Sequence, residues 1–435
     1  MSNIKLFNTL TRKVEPFKPI RFDEVRMYTC GPTVYDFAHV GNFRAYIVAE
    51  LLRRWLEYRG YKVTQVMNIT DVDDKTIKRS QQQGVPLKEF AGKFEKEFLE
   101  DMHSLKIHKP SVICRATDHI AEMVALVKIL LEKGYAYKTE DGIYFDIKKF
   151  KEYGKLSHFK INELKAGARV AVDEYEKDEL SDFALWKFWS EEDGDVFWET
   201  EVGKGRPGWH IECSAMSSKN LGETFDIHTG GIDLIFPHHE NEIAQSEAAT
   251  GKKFVNYWVH NEYLLVDGRK MSKRLGNIIT VRQLIEEGRD PKAIRYLLLS
   301  SQYRTQANFT YHLLDKAKET VDNINNLATK VQFLKDKVPE YFENDVMVKY
   351  IQDVHRDFEK HMDDNLDTPQ ALAVVHEFIG ATNKQIDKKQ VGRNILVLVQ
   401  DFLNDFNRVF DVIDVKESVH LNQDEKELIA EREKL

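Results

Sequence analysis

Residues 25–69 constrain the fold more than any other stretch. The apolar run VRMYTC at 25–30 reads as a short buried strand, and Gly31 and Pro32 break it. A helical pattern follows from about Asn42 to Tyr58, with Ile47, Val48, Leu51, Leu52, Trp55 and Leu56 as its apolar positions. Gly60 stands where a C-terminal cap belongs. Residues 62–68, KVTQVMN, read as the next strand. Strand, loop, helix, strand in this order predicts an α/β fold with a Rossmann-type parallel sheet and right-handed crossovers.

The chain of 435 residues, 42% of them hydrophobic, is long enough for two or three domains at roughly 100–200 residues each. Residues 113–204 are mixed in pattern and carry acidic-glycine turn signals at 140–142 and 191–194, which predicts an insertion within the sheet domain. From about Asp315 glycine and proline become rare, and Val321–Val338, Val346–His361 and Pro369–Asn383 have helical periodicity, so an α-helical bundle is expected there. The expected division is 1–112, first half of the sheet domain; 113–204, the insertion; 205–265, second half; 266–314, a basic loop with the segment leading to the bundle; and 315–435, the bundle. Residues 422–435 are strongly charged and read as an exposed helix or a frayed end. The net charge of −8 neither argues for a nucleic-acid partner nor against one, since binding depends on local basic patches. Three cysteines make no disulfide framework, and a reducing compartment is the default. With no signal-like run and no stretch near the roughly 20 apolar residues of a membrane span, the cytoplasm is the expected location.

Cys30 falls at the end of the first strand, the end that faces the ligand crevice in an open α/β sheet. Cys213 lies in GWHIECSAM, and FPHHENEIAQSEA holds His238 and Glu242. If Pro237 opens a helix, His238 and Glu242 share one face. Two thiolates, one imidazole and one carboxylate suit a tetrahedral zinc ion. The same residues also suit blander roles, as buried cysteines and a surface helix pair; Cys114, without polar neighbours, reads as core or surface filler. GPTVYDFAHVGNFRAY places His39, Gly41 and Asn42 at a helix start, where free N–H groups and the helix dipole favour phosphate. DGRKMSKRLGN holds Arg269, Lys270, Lys273 and Arg274, and its glycines at 268 and 276 predict a mobile basic loop suited to a polyphosphate, or a solvated basic loop.

HVGN resembles the HIGH signature of class I aminoacyl-tRNA synthetases, and KMSKR resembles their KMSKS signature. TCGPTVYDFAHVGN, MNITDVDDK, DFALWK, GRPGWHIECSAM, DIHTGGIDLIFPHHENEIAQSEA and LDTPQALAV narrow the resemblance to the cysteinyl-tRNA synthetases, from about residue 5 to the end of the chain. The resemblance implies Zn²⁺ held by Cys30, Cys213, His238 and Glu242. It implies a cysteine pocket near Gly31, Thr70, Trp209 and Asp233. It implies ATP, with Mg²⁺, at His39, Gly41, Asn42, Lys270 and Lys273, with His39, Lys270 and Lys273 catalytic. It makes 113–204 a connective insertion, 266–314 the KMSKS loop with a stem-contact region, and 315–435 a tRNA-binding bundle. L-cysteine, ATP and tRNA(Cys) are the implied partners, and a monomer the implied state.

Three departures stand out. Asn42 replaces the second histidine of HIGH, Arg274 replaces the last serine of KMSKS, and the chain ends at Leu435, where relatives are expected to continue into an anticodon-reading region. Zinc suits the substrate because a shape-based pocket separates cysteine from serine by only about 1–3 kcal/mol, whereas a soft metal prefers a thiolate over a hydroxyl. No editing site is then needed, and the insertion is too small to hold one. Lys270–Arg274 and Arg295–Arg304 are candidates near the tRNA acceptor end, while Trp186 and Trp189 read as core. Two alternatives stay open: a ligase joining cysteine to an amino sugar, and a non-catalytic zinc-containing RNA-binding protein.

Overall fold

The computed structural model describes residues 3–158, 169–170, 182–272 and 275–414. An N-terminal hairpin, β1 (Lys5–Asn8) and β2 (Lys13–Pro16), leads into β3 (Glu24–Thr29), α1 (Val40–Tyr58) and β4 (Lys62–Ile69). Then come α2 (Asp74–Gln83), α3 (Leu87–Ser104), β5 (Val112–Arg115) and α4 (Ile120–Glu132). An antiparallel sheet is next, made of β6 (Ala136–Lys138), β7 (Gly142–Phe145), β9 (Asp182–Phe188) and β10 (Gly205–Pro207), with β8 (Arg169–Val170) beside β9. The chain returns through α5 (Trp209–Leu221), β11 (Phe225–Gly231), α6 (Glu240–Thr250) and β12 (Val255–Asn261).

The central sheet has the order β12-β11-β3-β4-β5 and every pairing is parallel. The first strand therefore sits mid-sheet, and the order reverses between β3 and β11. A crevice opens at the carboxyl ends of such a pair, where the loops beyond the strands diverge. Tyr28 and Val66 face one side with α4, α5, α6 and the inserted sheet, while Met27 and Met67 face the other with α1 and the bundle. Both faces are buried, as a parallel sheet requires.

The expected opening of the insertion at 113 falls inside β5, which pairs with β4 from Val66↔Val112 onward. The antiparallel sheet starts instead at Ala136 and runs through Pro207, which pairs with Trp186. A small sheet, β13 (Leu264–Val266), β14 (Arg269–Lys270) and β15 (Ala307–Phe309), carries α7 (Val281–Glu286) and α8 (Pro291–Leu299) between its strands. The bundle is α9 (Tyr311–Leu334), α10 (Asp345–Asp363), α11 (Thr368–Asp387) and α12 (Arg393–Phe410). The charged stretch 422–435 lies outside the described residues.

The bundle is bolted to α1 by buried charge. Glu50 accepts from Arg54 and, at 2.6 Å, from Arg295, and all three side chains are at most 5% exposed. Arg295 also donates to the Phe410 carbonyl and Arg54 to Asp411, so the network ends on the last turn of α12 and its capping residue.

Candidate metal centre and nucleotide cleft

Three segments meet at the crevice floor. Cys30 comes directly after β3, Cys213 is on α5, and His238 and Glu242 flank the start of α6. Their ligand atoms lie within 4.8 Å of one another, and all four residues are buried. The edges are 3.9 Å between the two sulfurs, 3.8 Å from Cys30 Sγ to Glu242 Oε1, 3.4 Å from His238 Nε2 to Cys213 Sγ, and 3.2 Å from His238 Nε2 to Glu242 Oε1. Metal–sulfur bonds of about 2.3 Å and metal–nitrogen or –oxygen bonds of about 2.1 Å give tetrahedral S–S edges of about 3.8 Å and N–O edges of about 3.4 Å. The quartet fits a tetrahedral ion.

A second, overlapping quartet was not foreseen: Cys30, His228, His239 and Glu242. His239 Nε2 is 3.3 Å from Cys30 Sγ but 3.9 Å from Glu242, and His228 Nε2 is 2.9 Å from Glu242 Oε2, the other carboxylate oxygen. His239 is engaged behind by His260 at 2.7 Å, and His260 by Thr9 Oγ1 at 2.8 Å. Only the adjacency of His239 to His238 and the lone His228 in DIHTGG signalled this set.

Burial governs the protonation of the cluster. It pushes the Cys30 thiol well up, with the neighbouring Cys213 adding to the shift, and pushes Cys213 up too. Burial also drives His238, His210 and His260 down to about 3 and His239 well below its usual value. Neutral imidazoles are ready ligands, and a cation binding here would release thiol protons. Among the described residues, the ion-pair partners of the fully buried Glu242 are imidazoles only. A carboxylate buried without a fixed cation is costly, which is the chemistry a bound divalent ion relieves.

Above this floor lies a cleft of about 760 Å³. Cys30, Gly31, Trp209 and Asp233 line it together with His39, Gly41, Asn42 and Lys270. Trp209 lies over His238 with ring centroids 4.2 Å apart. Thr70 is not among the lining residues. It is buried behind them, donating from Oγ1 to Glu212 at 2.7 Å and holding Val34 through its carbonyl.

The helix start forms as the sequence suggests. His39 caps α1 by accepting from the Asn42 N–H at 3.1 Å, and the Asn42 side chain accepts from the His39 N–H at 3.1 Å. Asparagine at this place thus completes a capping box. Burial lowers the His39 pKa, so the imidazole is neutral and its Nδ1 free to accept.

The basic segment opens as a hairpin. Asp267 and Gly268, with φ of 47° and 72°, form the two-residue turn of a hairpin in which Val266 faces Arg269 and Leu265 faces Lys270. Asn277 then clasps the segment, accepting from the Ser272 N–H and donating to the Lys270 carbonyl. Lys273 and Arg274 lie outside the described residues. The segment touches α1: a Cβ on Gly41 would stand 2.4 Å from Met271 Cε, and the Val40 N–H donates to the Ile279 carbonyl at 2.9 Å.

The expectations for Arg295 and Trp189 change, while Trp186 and Cys114 lie in the core as expected. Arg295, offered as an acceptor-end contact, is fully buried on Glu50, and the Arg304 guanidinium sits 3.2 Å from the Phe7 ring centroid. Trp186 is core, but Trp189 is 37% exposed with the Lys204 ammonium 3.9 Å from its ring centroid. Cys114 is core, its Sγ 3.5 Å from the Met67 carbonyl.

A parallel sheet open at its switch point, with a capped helix start on one wall and a basic hairpin on the other, defines a class I aminoacyl-tRNA synthetase catalytic unit. Residues 16–319 match the family model described as the class I (C) tRNA synthetase catalytic domain, and 357–413 match the DALR domain. The cysteine–tRNA ligase of Koribacter versatilis is 48% identical over 418 residues, covering 95% of this chain and 83% of that protein. Those of Brachyspira hyodysenteriae and Thermococcus gammatolerans are 46% and 44% identical, covering 94% and 98% of this chain and 87% and 90% of theirs. The chain belongs to the cysteine–tRNA ligase family. Two structures of Mycobacterium tuberculosis methionyl-tRNA synthetase with methionyl-adenylate share its fold at a TM-score of 0.66, with 14% and 15% identity, covering 89% and 90% of this chain and 92% and 89% of theirs. Among the described residues no helix is long and apolar enough to cross a membrane.

Proposed function

We propose that the chain activates L-cysteine with ATP and transfers it to the 3′ end of tRNA(Cys), with Cys30, Cys213, His238 and Glu242 holding a zinc ion. The observation that carries this is the match of their edges to a tetrahedron at the floor of the cleft. The quartet with two sulfurs is preferred over the histidine-rich one because soft donors favour zinc and its edges are more even. When bound, the ion supplies a soft centre that takes a thiolate and leaves an aliphatic hydroxyl unligated.

The chain's own residues do the rest. Gly31 and Asp233 frame the amino acid from two strand ends, with Trp209 as a wall and Thr70 supporting from behind. A side chain on Gly31 would meet the Asn68 carbonyl oxygen at 1.7 Å, so only backbone occupies that place. The cysteine carboxylate attacks the ATP α-phosphorus and pyrophosphate leaves. His39, Gly41 and Asn42 present the helix start to the phosphates, which carry Mg²⁺, while Lys270 and Lys273 stabilise the leaving charge. A ribose hydroxyl of tRNA then attacks the adenylate carbonyl, and AMP leaves. The chain acts as a monomer in the cytoplasm. The DALR match over 357–413 and the named relatives do not favour the amino-sugar and non-catalytic readings.

The test is ATP–pyrophosphate exchange with cysteine and with serine, alongside zinc content by elemental analysis and charging of tRNA(Cys). One zinc per chain, exchange with cysteine only, and charging are expected. Serine supporting exchange within tenfold of cysteine overturns the account of selectivity.

A further inference from the structure

The hairpin register puts one aromatic ring beneath one lysine. Leu265 pairs directly with Lys270, so the two side chains share a face. Tyr263, two residues before Leu265, continues that face and is the diagonal neighbour of Lys270, within reach of an aromatic ring. The Lys270 ammonium stands 4.6 Å from the Tyr263 ring centroid, and both residues line the cleft. The opposite face, Leu264 and Val266, is buried, which fixes which way the ring points.

The platform is anchored. The buried Arg44 of α1 donates to the Glu262 and Tyr263 carbonyls at 2.6 and 2.8 Å, and the Ala307 N–H donates to the Tyr263 carbonyl at 3.2 Å. On the other strand, Asn277 holds the Lys270 carbonyl. Backbone is therefore pinned on both sides of the contact. A lysine in water samples many rotamers, and a ring that holds its ammonium at the cleft removes part of the ordering cost before the nucleotide arrives.

The geometry points to Tyr263 as a positioning residue that docks the Lys270 ammonium on its ring face at the cleft mouth, poised for the polyphosphate of ATP. This rests on the role proposed for Lys270. The ring acts on the lysine through its quadrupole.

The test is steady-state cysteine-dependent ATP–pyrophosphate exchange on the full chain with Tyr263→Leu, Tyr263→Phe, Lys270→Ala and the double variant Tyr263→Leu/Lys270→Ala. An exposed cation–ring contact corresponds to about a two- to fivefold effect. Tyr263→Leu is expected to raise KM for ATP by that factor with kcat changed less than twofold and KM for cysteine unmoved. Tyr263→Phe, which keeps the ring, is expected to restore KM for ATP, and Tyr263→Leu to add nothing once Lys270 is alanine. A ring that stacks on the adenine instead would give a full additional loss in the Lys270→Ala background, which overturns the proposal. So would equal damage from Phe and Leu, or a Leu variant indistinguishable from wild type. Should Lys270→Ala leave exchange untouched, it is the role of the lysine that fails, and the proposal with it.

Discussion

His210 is predicted to set how tightly the metal is held without touching it. Its Nδ1 stands 2.9 Å from His238 Nδ1, and both rings are buried. Burial keeps both neutral, with pKa values pushed down to about 3. Two neutral Nδ1 atoms at this distance share one proton. His238 turns its Nε2 toward Cys213 and Glu242, so a metal-bound His238 carries its proton on Nδ1 and donates it, and His210 must present a bare Nδ1. In His210→Leu that donor is left without a partner in a site where His238 is 2% exposed. An orphaned buried donor costs about 1–3 kcal/mol. Loss of such an outer partner typically weakens metal binding by about 10–100-fold, or about 1.4–2.8 kcal/mol at 1.4 kcal/mol per decade. The two routes agree. Competition of the metal-loaded protein against a chromogenic zinc chelator measures the affinity directly. His210→Asn, which can return an acceptor oxygen, should recover most of the loss. Equal affinity in wild type and His210→Leu, or an Asn variant as weak as the Leu variant, would refute the proton assignment.

Other outcomes can be stated alongside. Glu50→Ala should destabilise the chain by about 3–5 kcal/mol in urea unfolding, because it removes the carboxylate that two buried guanidiniums share; Arg54 keeps Asp411 and Arg295 keeps its carbonyls, which places the value at the lower end, and a change under 1 kcal/mol refutes it. Gly31→Ala and Gly41→Ala should differ sharply: the first drives a Cβ to 1.7 Å from a backbone oxygen and should abolish binding of cysteine, the second meets side chains alone, the flexible tip of Met271 and, at 3.1 Å, the His39 ring, and should raise KM for ATP with the fold intact by circular dichroism. The folded pKa of His39 lies below its unfolded value of about 6.5. Its contribution to stability is therefore complete above about pH 6.5 and is lost as pH falls toward the folded value; imidazole NMR that shows His39 titrating at or above 6.5 sinks this reading.

Much of the fold is legible in the sequence. The β3–α1–β4 unit announces itself because its apolar positions repeat with the right periods and its breaks fall at Gly31, Pro32 and Gly60. The metal quartet is legible only as residue types, since the distance between Cys30 and Glu242 is set by the switch point and not by local pattern. Arg295 misleads because charge in a helix reads as surface, and its partner Glu50 lies 245 positions away. The Asp267–Gly268 turn is present as a dipeptide with hairpin meaning, yet the cations around it suggest a loop. The helix α12 escapes notice although Ile395, Leu396, Val399, Phe402, Leu403 and Phe406 repeat at helical spacing. The boundary at 113 fails because β5 has only four residues and half-buried edges, too short to show a period.

The four proposed donors come from three stretches that the ribosome delivers one after another. Cys30 emerges first, Cys213 only after the whole inserted sheet, and Glu242 later still. No partial chain ending before α6 owns all four of the proposed donors. On the proposed assignment, a filled centre would require both halves of the split sheet to have met.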